Sequence, residues 1–125
     1  YGIEKNIRIM GFSDNIQDVY RTADIHAFAS LHEGFSLALA DGMAIGLPSI
    51  GFKETPSVNE LIVDGHNGYL AKDVDDFAEK LRLLMTDKDL RVRFGKNAVE
   101  DMKAYAPEIV AGQWDELIKK TVKQK

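Results

Sequence analysis

Apolar residues recur along this chain with two periods, and the change from one to the other divides it. The first part alternates short apolar runs with helical patterns. "IRIMGF" (Ile7–Phe12) predicts a strand ending at Gly11, and "NIQDVYRTA" (Asn15–Ala23) a helix with Asp14 or Ser13 as N-cap. "IHAFAS" (Ile25–Ser30) alternates towards a second strand, and "PSIGF" (Pro48–Phe52) predicts a third. Between them "SLALADGMAI" predicts a helix capped by Ser36 and stopped by Gly46-Leu47-Pro48. Ser57-Val58-Asn59-Glu60 has capping-box spacing and predicts a short helix to about Val63. The turn residues Asp64-Gly65 and Asn67-Gly68 then lead into a fourth strand, "GYLA". Strands separated by helices imply right-handed βαβ units and a parallel sheet.

From Asp73 onward the period is helical. Val74, Phe77, Leu81, Leu84 and Met85 share one face, and Leu90, Phe94, Ala98 and Met102 form a second stripe. After Ala106-Pro107, a good helix start, Val110, Trp114, Leu117, Ile118 and Val122 form a third. No repeat, linker or low-complexity stretch interrupts the pattern. The expected class is α/β, a Rossmann-like parallel sheet with helices on both faces. Four strands among so many helices make it lopsided, so the missing part should lie N-terminal.

Composition narrows this only a little. At 125 residues the chain is one domain at most, with apolar and charged fractions of an ordinary globular protein. A net charge of −4 argues against a dedicated nucleic-acid binder. The chain has no cysteine, which excludes disulfides and thiolate metal sites. His26, His32 and His66 lack metal-ligand spacing, and His32-Glu33 does not extend to HExxH. No apolar run approaches the ~20 residues that span a bilayer, and no signal peptide is visible. The start at Tyr1 reads as a piece of something longer, expected to be cytoplasmic.

The candidate chemistry sits in "HEGFSLALADGMAIGLP" (His32–Pro48). In open α/β sheets, ligands bind beyond the carboxyl ends of the strands, against helix N-termini. The strand Ile25–Ser30 ends just before Glu33-Gly34-Phe35-Ser36, so amides around Phe35, Ser36 and Leu37 would point out of a first helical turn. Such amides, with the helix dipole, suit a phosphate-sized anion. Asp41 lies on the next turn, roughly 7 Å along the axis from Ser36. One carboxylate would then flank each side of the anion site, and carboxylates accept paired hydrogen bonds from vicinal hydroxyls. A ligand with diols on both sides of a diphosphate is a nucleotide sugar. On spacing alone, a solvated loop acid at Glu33 and a merely polar helix position at Asp41 fit equally well.

The same residues resemble the signature of retaining GT-B glycosyltransferases, the group 1 or family 4 class, written EGFxLxxxEAMAxGxPV. Here it stands as Glu33-Gly34-Phe35-Ser36-Leu37-Ala38-Leu39-Ala40-Asp41, followed by Gly42-Met43-Ala44-Ile45-Gly46-Leu47-Pro48. "RIMGFSDNIQDVYRTADIHAFAS", "SVNELIVDGHNGYLA" and the tail through "QWDELIKK" are similar to the flanking family segments, so the likeness covers nearly the whole chain. It implies the C-terminal, donor-binding domain of such an enzyme, in part, without its first two strands and without the N-terminal acceptor domain. The family sheet runs 3-2-1-4-5-6, and the strands here look like the third to sixth. The resemblance implies Glu33 as the catalytic-site carboxylate that binds donor-sugar hydroxyls. It implies Gly34 and the amides of Phe35, Ser36 and Leu37 at the diphosphate, Asp41 at the ribose diol, and Gly11-Phe12-Ser13 near the nucleobase. The implied activity is hexosyl transfer from a nucleoside-diphosphate sugar to a hydroxyl acceptor with retention, in polysaccharide or glycoconjugate assembly. No metal or cofactor is implied; the partners are the nucleotide sugar and a glycan or lipid-linked acceptor held by the absent domain. This piece alone is expected to be inactive. A sugar-nucleotide epimerase or glycan phosphorylase on the same fold, and a non-catalytic binding module, are the alternatives.

Two departures stand out. Asp41 is one methylene shorter than the usual Glu, and Gly42 replaces the usual Ala at a helix cost of about 0.5–1 kcal/mol. Ile7–Phe12, without its neighbour, would expose a sheet edge that could pair with a second copy. Asp73-Val74-Asp75 resembles the DxD of another glycosyltransferase fold, but it also opens an amphipathic helix, and the cap is the favoured reading. Glu54, Thr55 and Ser57 could line the donor site, whereas Ser57 and Glu60 as a helix cap is the simpler view. His32 and His66 read as loop and turn residues. Lys119, Lys120, Lys123 and Lys125 suit a helix C-terminus, with attachment to the inner membrane face as the alternative.

Overall fold

The computed structural model describes residues 2–122. Three parallel strands form the sheet: β1 (His26–Phe28), β2 (Ser49–Phe52) and β3 (Gly68–Ala71), in the order β1-β2-β3. The register aligns Phe28 with Gly51 and Leu70, and Ala27 with Ile50 and Tyr69. Because side chains alternate along a strand, the first trio faces one side of the sheet and the second faces the other.

Each face has its own helices. The helices are α1 (Ile16–Arg21), α2 (Leu37–Ala44), α3 (Val58–Leu61), α4 (Val74–Thr86), α5 (Lys88–Met102) and α6 (Pro107–Val122). On the first face Phe28 and Leu70 pack against a buried cluster of Leu39, Met43, Val58, Leu61, Ala98 and Met102 from α2, α3 and α5. On the second, Ile50 and Tyr69 meet Leu84 and Phe94, with Phe77 and Leu81 of α4 around them. The two clusters meet through α5, which contributes Phe94 to one and Ala98 and Met102 to the other. Helices on both faces of a parallel sheet are as the alternation predicts.

Four expectations are corrected. Ile7–Phe12 is not a strand: it is unpaired, and Ile9 and Phe12 are more than nine-tenths exposed. Its apolar pattern is real, but an extended segment needs a neighbouring ladder, and the described residues offer it none. The sheet therefore has three strands, and its open edge on that side is β1. The helix expected over Asn15–Ala23 is shorter, with Asn15 at the N-cap position and its amide donated to Ser13 Oγ at 3.3 Å. The α6 stripe is not core: among the described residues α6 buries none, and Trp114, Leu117 and Ile118 are more than half exposed. In the α4 stripe, Val74 and Met85 also face solvent, outside the contact with β2 and β3.

Aspartate caps open the first two helices after β3, the one at Asp73 as the sequence predicts. Asp73 accepts the Asp76 amide at 2.8 Å and Asp87 accepts that of Leu90 at 2.8 Å, so the Asp73-Val74-Asp75 run is a helix start. Asp76 is engaged as well, by the Lys72 amide at 2.9 Å and Lys80 Nζ at 3.1 Å. The turn into β3 is fastened by Asn67, which is fully buried. Its Nδ2 donates to the Leu61 carbonyl at 3.1 Å and Asp101 Oδ2 at 2.8 Å, while Oδ1 accepts the Val63 amide at 2.8 Å. His66 beside it pairs with Asp101 at 3.3 Å, which makes it a structural residue. Lys119 pairs with Asp115 at 3.5 Å in the last turns of α6; Lys123 and Lys125 lie outside the described residues. No helix among the described residues is long and apolar enough to cross a membrane.

Backbone meets backbone where α5 crosses the end of α2. A Cβ on Gly95 would run into the Gly46 carbonyl, a backbone atom that cannot rotate aside. Gly95→Ala should therefore destabilise the fold by about 1–3 kcal/mol, although alanine is the better helix former. Urea unfolding of the two proteins measures this; equal midpoints would mean that the two helices separate without cost.

Candidate functional site

The carboxyl ends of all three strands lie on one side of the sheet, as parallel pairing requires. The segment from Ser30 to Ser36 leaves β1 there and enters α2. Ser36 occupies the N-cap position, and its carbonyl accepts the Ala40 amide at 3.0 Å. Its side chain does not cap the helix. Ser36 is 1% exposed and its Oγ has no hydrogen-bond partner, one of two such buried atoms among the described residues. A buried hydroxyl left unpaired costs free energy, so it marks a place where a partner is wanted.

The amides of this turn divide into used and free. The Ser36 amide donates inward to Ser57 Oγ at 2.9 Å, and the Leu37 amide closes onto the Phe35 carbonyl at 3.0 Å. The amides left over from the first turn are those of Ala38, an exposed residue, and Leu39, a fully buried one, which precede the first intrahelical bond. The Phe35 amide makes no hydrogen bond among the described residues. A ligand anion would therefore meet a different amide set from the Phe35–Ser36–Leu37 trio expected of the sequence.

Glu33 is half-buried in the middle of this segment, between the exposed residues His32 and Gly34. Its neighbour Phe35 stacks on Tyr105, ring centroids 5.5 Å apart, and this holds the segment against the chain after α5. Asp41 is exposed on α2. Burial first, and then the charge of Asp41, push the Tyr20 phenol above its ordinary pKa of 10.0. The phenol donates to the Ala38 carbonyl at 3.1 Å, so α1 braces the same turn from outside. Open hollows lie on both flanks. One, of about 310 Å³, is lined by Leu31, Phe52, Glu54, Thr55, Lys72 and Val74 at the strand ends. The other, of about 440 Å³, runs between α2 and the Lys103–Pro107 bend and includes Asp41 and Tyr105.

Glu33, Gly34, Phe35, Ser36, Leu37 and Asp41 thus share one turn and the helix it opens. Gly11, Phe12 and Ser13 belong to the exposed N-terminal stretch and make no hydrogen bond to that turn among the described residues. The expected Ser57–Glu60 capping box does not form either. Ser57 takes a positive φ of 68° and turns its hydroxyl to Ser36 instead.

Two contacts were not foreseen from the sequence. Thr55 Oγ1 donates to the Ser30 carbonyl at 3.0 Å, which with the Ser57 bond fastens both ends of the Glu33 segment. The second explains Gly42. A Cβ there would stand 2.5 Å from His26 Nδ1, and the His26 ring is held between Tyr20 and Phe28 at 5.4 and 5.6 Å. A histidine opening β1, where the resemblance places an alanine on the facing helix, was the available signal.

A three-layer parallel α/β arrangement of this kind is a Rossmann-like fold. The sequence model of the family "Glycosyl transferases group 1" matches residues 1–101, and the chain belongs to that family. The UDP-N-acetylglucosamine–peptide N-acetylglucosaminyltransferase GtfA subunit of Limosilactobacillus reuteri is 33% identical over 90% of this chain. The crystal structure of the C-terminal domain of a group 1 glycosyl transferase, LpcC of Francisella tularensis, is 34% identical and superposes with a TM-score of 0.66. That match covers 78% of this chain and 51% of the other. Staphylococcus aureus TarM, crystallised with UDP among its ligands, is 25% identical, with a TM-score of 0.81 over 92% of this chain and 24% of its own. The chain spans 23% of the length of the GtfA subunit and 14% of another curated relative, from Streptomyces coelicolor.

Burial of the His26 ring holds its pKa below the ordinary 6.5. The unfolded chain then takes up a proton that the folded chain refuses, so stability is complete above pH 6.5 and declines as pH falls towards the lowered folded value. His26→Ala should flatten that decline. The same replacement should rescue Gly42→Ala, with a coupling of about 0.5–3 kcal/mol in a double-mutant cycle. Additive effects of the two changes would rule out the contact as the reason for Gly42.

Proposed function

We propose that residues 1–125 form the donor-binding part of a glycosyltransferase that passes a sugar from a nucleoside-diphosphate sugar to a hydroxyl acceptor. The observation that carries this is the α2 N-terminus. There, unpaired amides and a buried, partnerless Ser36 hydroxyl stand between a half-buried Glu33 and an exposed Asp41. A diphosphate supplies acceptors for the amides and for a hydroxyl donor. The flanking carboxylates supply acceptors for diols, Glu33 on the sugar side and Asp41 on the ribose side. Family membership supports the same activity, as do the UDP-sugar donor named for the GtfA subunit and the UDP bound to TarM.

In the reaction the bond between the anomeric carbon and the diphosphate breaks, and negative charge grows on the leaving oxygen. Amides aimed at that oxygen, at the positive end of a helix dipole, stabilise the departing trianion more than the dianionic diphosphate ester they first meet. Glu33 would orient the sugar through its hydroxyls, which fixes the face presented to the acceptor. Transfer proceeds with retention in this reading, within polysaccharide or glycoconjugate assembly. The acceptor site and further cationic groups for the diphosphate come from outside these residues.

Binding measurements separate the two carboxylates. Glu33→Ala should weaken a nucleotide sugar about 10- to 100-fold, the worth of a charged hydrogen-bond pair, and leave the free nucleoside diphosphate within about twofold. Asp41→Ala should weaken both ligands and leave pyrophosphate unchanged. Calorimetry with UDP-, GDP- and ADP-sugars on the intact protein reads each case. A nucleotide sugar bound equally well by wild type and both variants would sink the assignment.

A further inference from the structure

We propose that the Thr55-Pro56-Ser57 turn is a positioning element for the donor site and that Ser57 is its key residue. The inference rests on the donor-site reading above. Both ends of the segment that carries Glu33 are fastened to this one turn. At the leading end Thr55, 2% exposed, donates its hydroxyl to the Ser30 carbonyl at 3.0 Å. At the trailing end Ser57, 3% exposed, accepts the Ser36 amide at 2.9 Å. Between these anchors Leu31, His32, Gly34 and Phe35 are exposed, and the Phe35–Tyr105 ring contact and the Ser30 hydroxyl bond to the His32 carbonyl at 3.2 Å are the segment's other ties.

Ser57 is held in an unfavourable backbone state to do this. Among the described residues it is the one non-glycine with positive φ, at 68° with ψ −39°. A glycine would relieve that strain. A serine adds a Cβ, which strains the backbone, and a hydroxyl, whose bond goes to the α2 turn rather than to its own helix, α3, whose N-cap position it occupies. The bond runs between two buried residues, so the Ser36 amide faces the interior and is withheld from ligand. Its role is to set the direction in which the next free amide on an exposed residue, that of Ala38, leaves the turn. Small displacements there matter, because diphosphate recognition depends on aligned donors.

Strain and hydroxyl make opposite predictions for one substitution. Ser57→Gly relieves the strain and removes the acceptor. The expected result is a urea midpoint equal to or above wild type, faster amide exchange at Ser36, and affinity for a nucleoside diphosphate weakened about five- to tenfold, the size of one net hydrogen bond. Thr55→Val should weaken binding similarly, and Thr55→Ser, which keeps the hydroxyl, should restore it. The probes are UDP, GDP and ADP, titrated into the intact protein. If Ser57→Gly is as stable as wild type and binds as tightly or more tightly, the positioning role is overturned. Thr55→Val decides in the same way should the glycine variant fail to fold. If wild type binds none of the three diphosphates, the donor-site reading itself fails, a result distinct from normal binding by the variants.

Discussion

Parallel register is the constraint from which the rest of this structure follows. Phe28, Gly51 and Leu70 stand abreast on one face of the sheet, and Ala27, Ile50 and Tyr69 on the other. A three-stranded layer this short cannot protect either face alone, so each recruits its own helices. One helix, α5, joins the two clusters, with Phe94 in the first turns and Ala98 and Met102 further on. Its approach to α2 is limited by backbone meeting backbone at Gly46 and Gly95. Parallel pairing also places the exits of β1, β2 and β3 at one end. The loops after β1 and β2 can therefore reach one another, and the Thr55–Ser30 and Ser57–Ser36 bonds are the result.

What the sequence disclosed divides by the range of the interaction. Strands that find neighbours within the chain, at His26–Phe28, Ser49–Phe52 and Gly68–Ala71, were legible from apolar runs and turn residues. The helix start set by a local side-chain bond at Asp73 was legible too, whereas the equivalent cap at Asp87 emerges from the structure. Ile7–Phe12 carries the same local signal but lacks a pairing partner, and a strand is not a local object. The α6 stripe fails similarly: its periodicity states that a face is apolar, not that anything covers it. Ser57 was misread for a related reason. The capping-box spacing describes what its hydroxyl could do nearby, whereas the hydroxyl is taken by an amide 21 positions away.

The signature turn was legible as a unit but not in its wiring. Glu33, Ser36, Leu37 and Asp41 do lie along one turn and one helix. Which amides remain free is decided by Ser57 and by the Phe35 carbonyl, neither of which belongs to any anion-binding pattern. Gly42 illustrates the converse, an apparent defect with a tertiary cause. In a helix it costs stability relative to alanine, yet the His26 ring leaves no room for a methyl group. The histidine and the glycine are therefore one feature, spread over β1 and α2.

The paired use of Ser36 bears on how a ligand would be received. Its amide is committed inward and its hydroxyl is buried without a partner, so the residue is satisfied on its backbone and unsatisfied on its side chain. Had the amide been free instead, the turn could swing to meet an anion and the helix entry would be soft. With the amide anchored, the turn holds its direction before any ligand arrives, and the buried, unpaired hydroxyl is left beside the free amides of Phe35 and Ala38. Preorganised donors in a fixed frame cost less to align when charge develops than donors that must first be gathered. In the proposed function, such an anchor would suit a ligand whose negative charge increases during the reaction, which is the demand that a departing diphosphate makes.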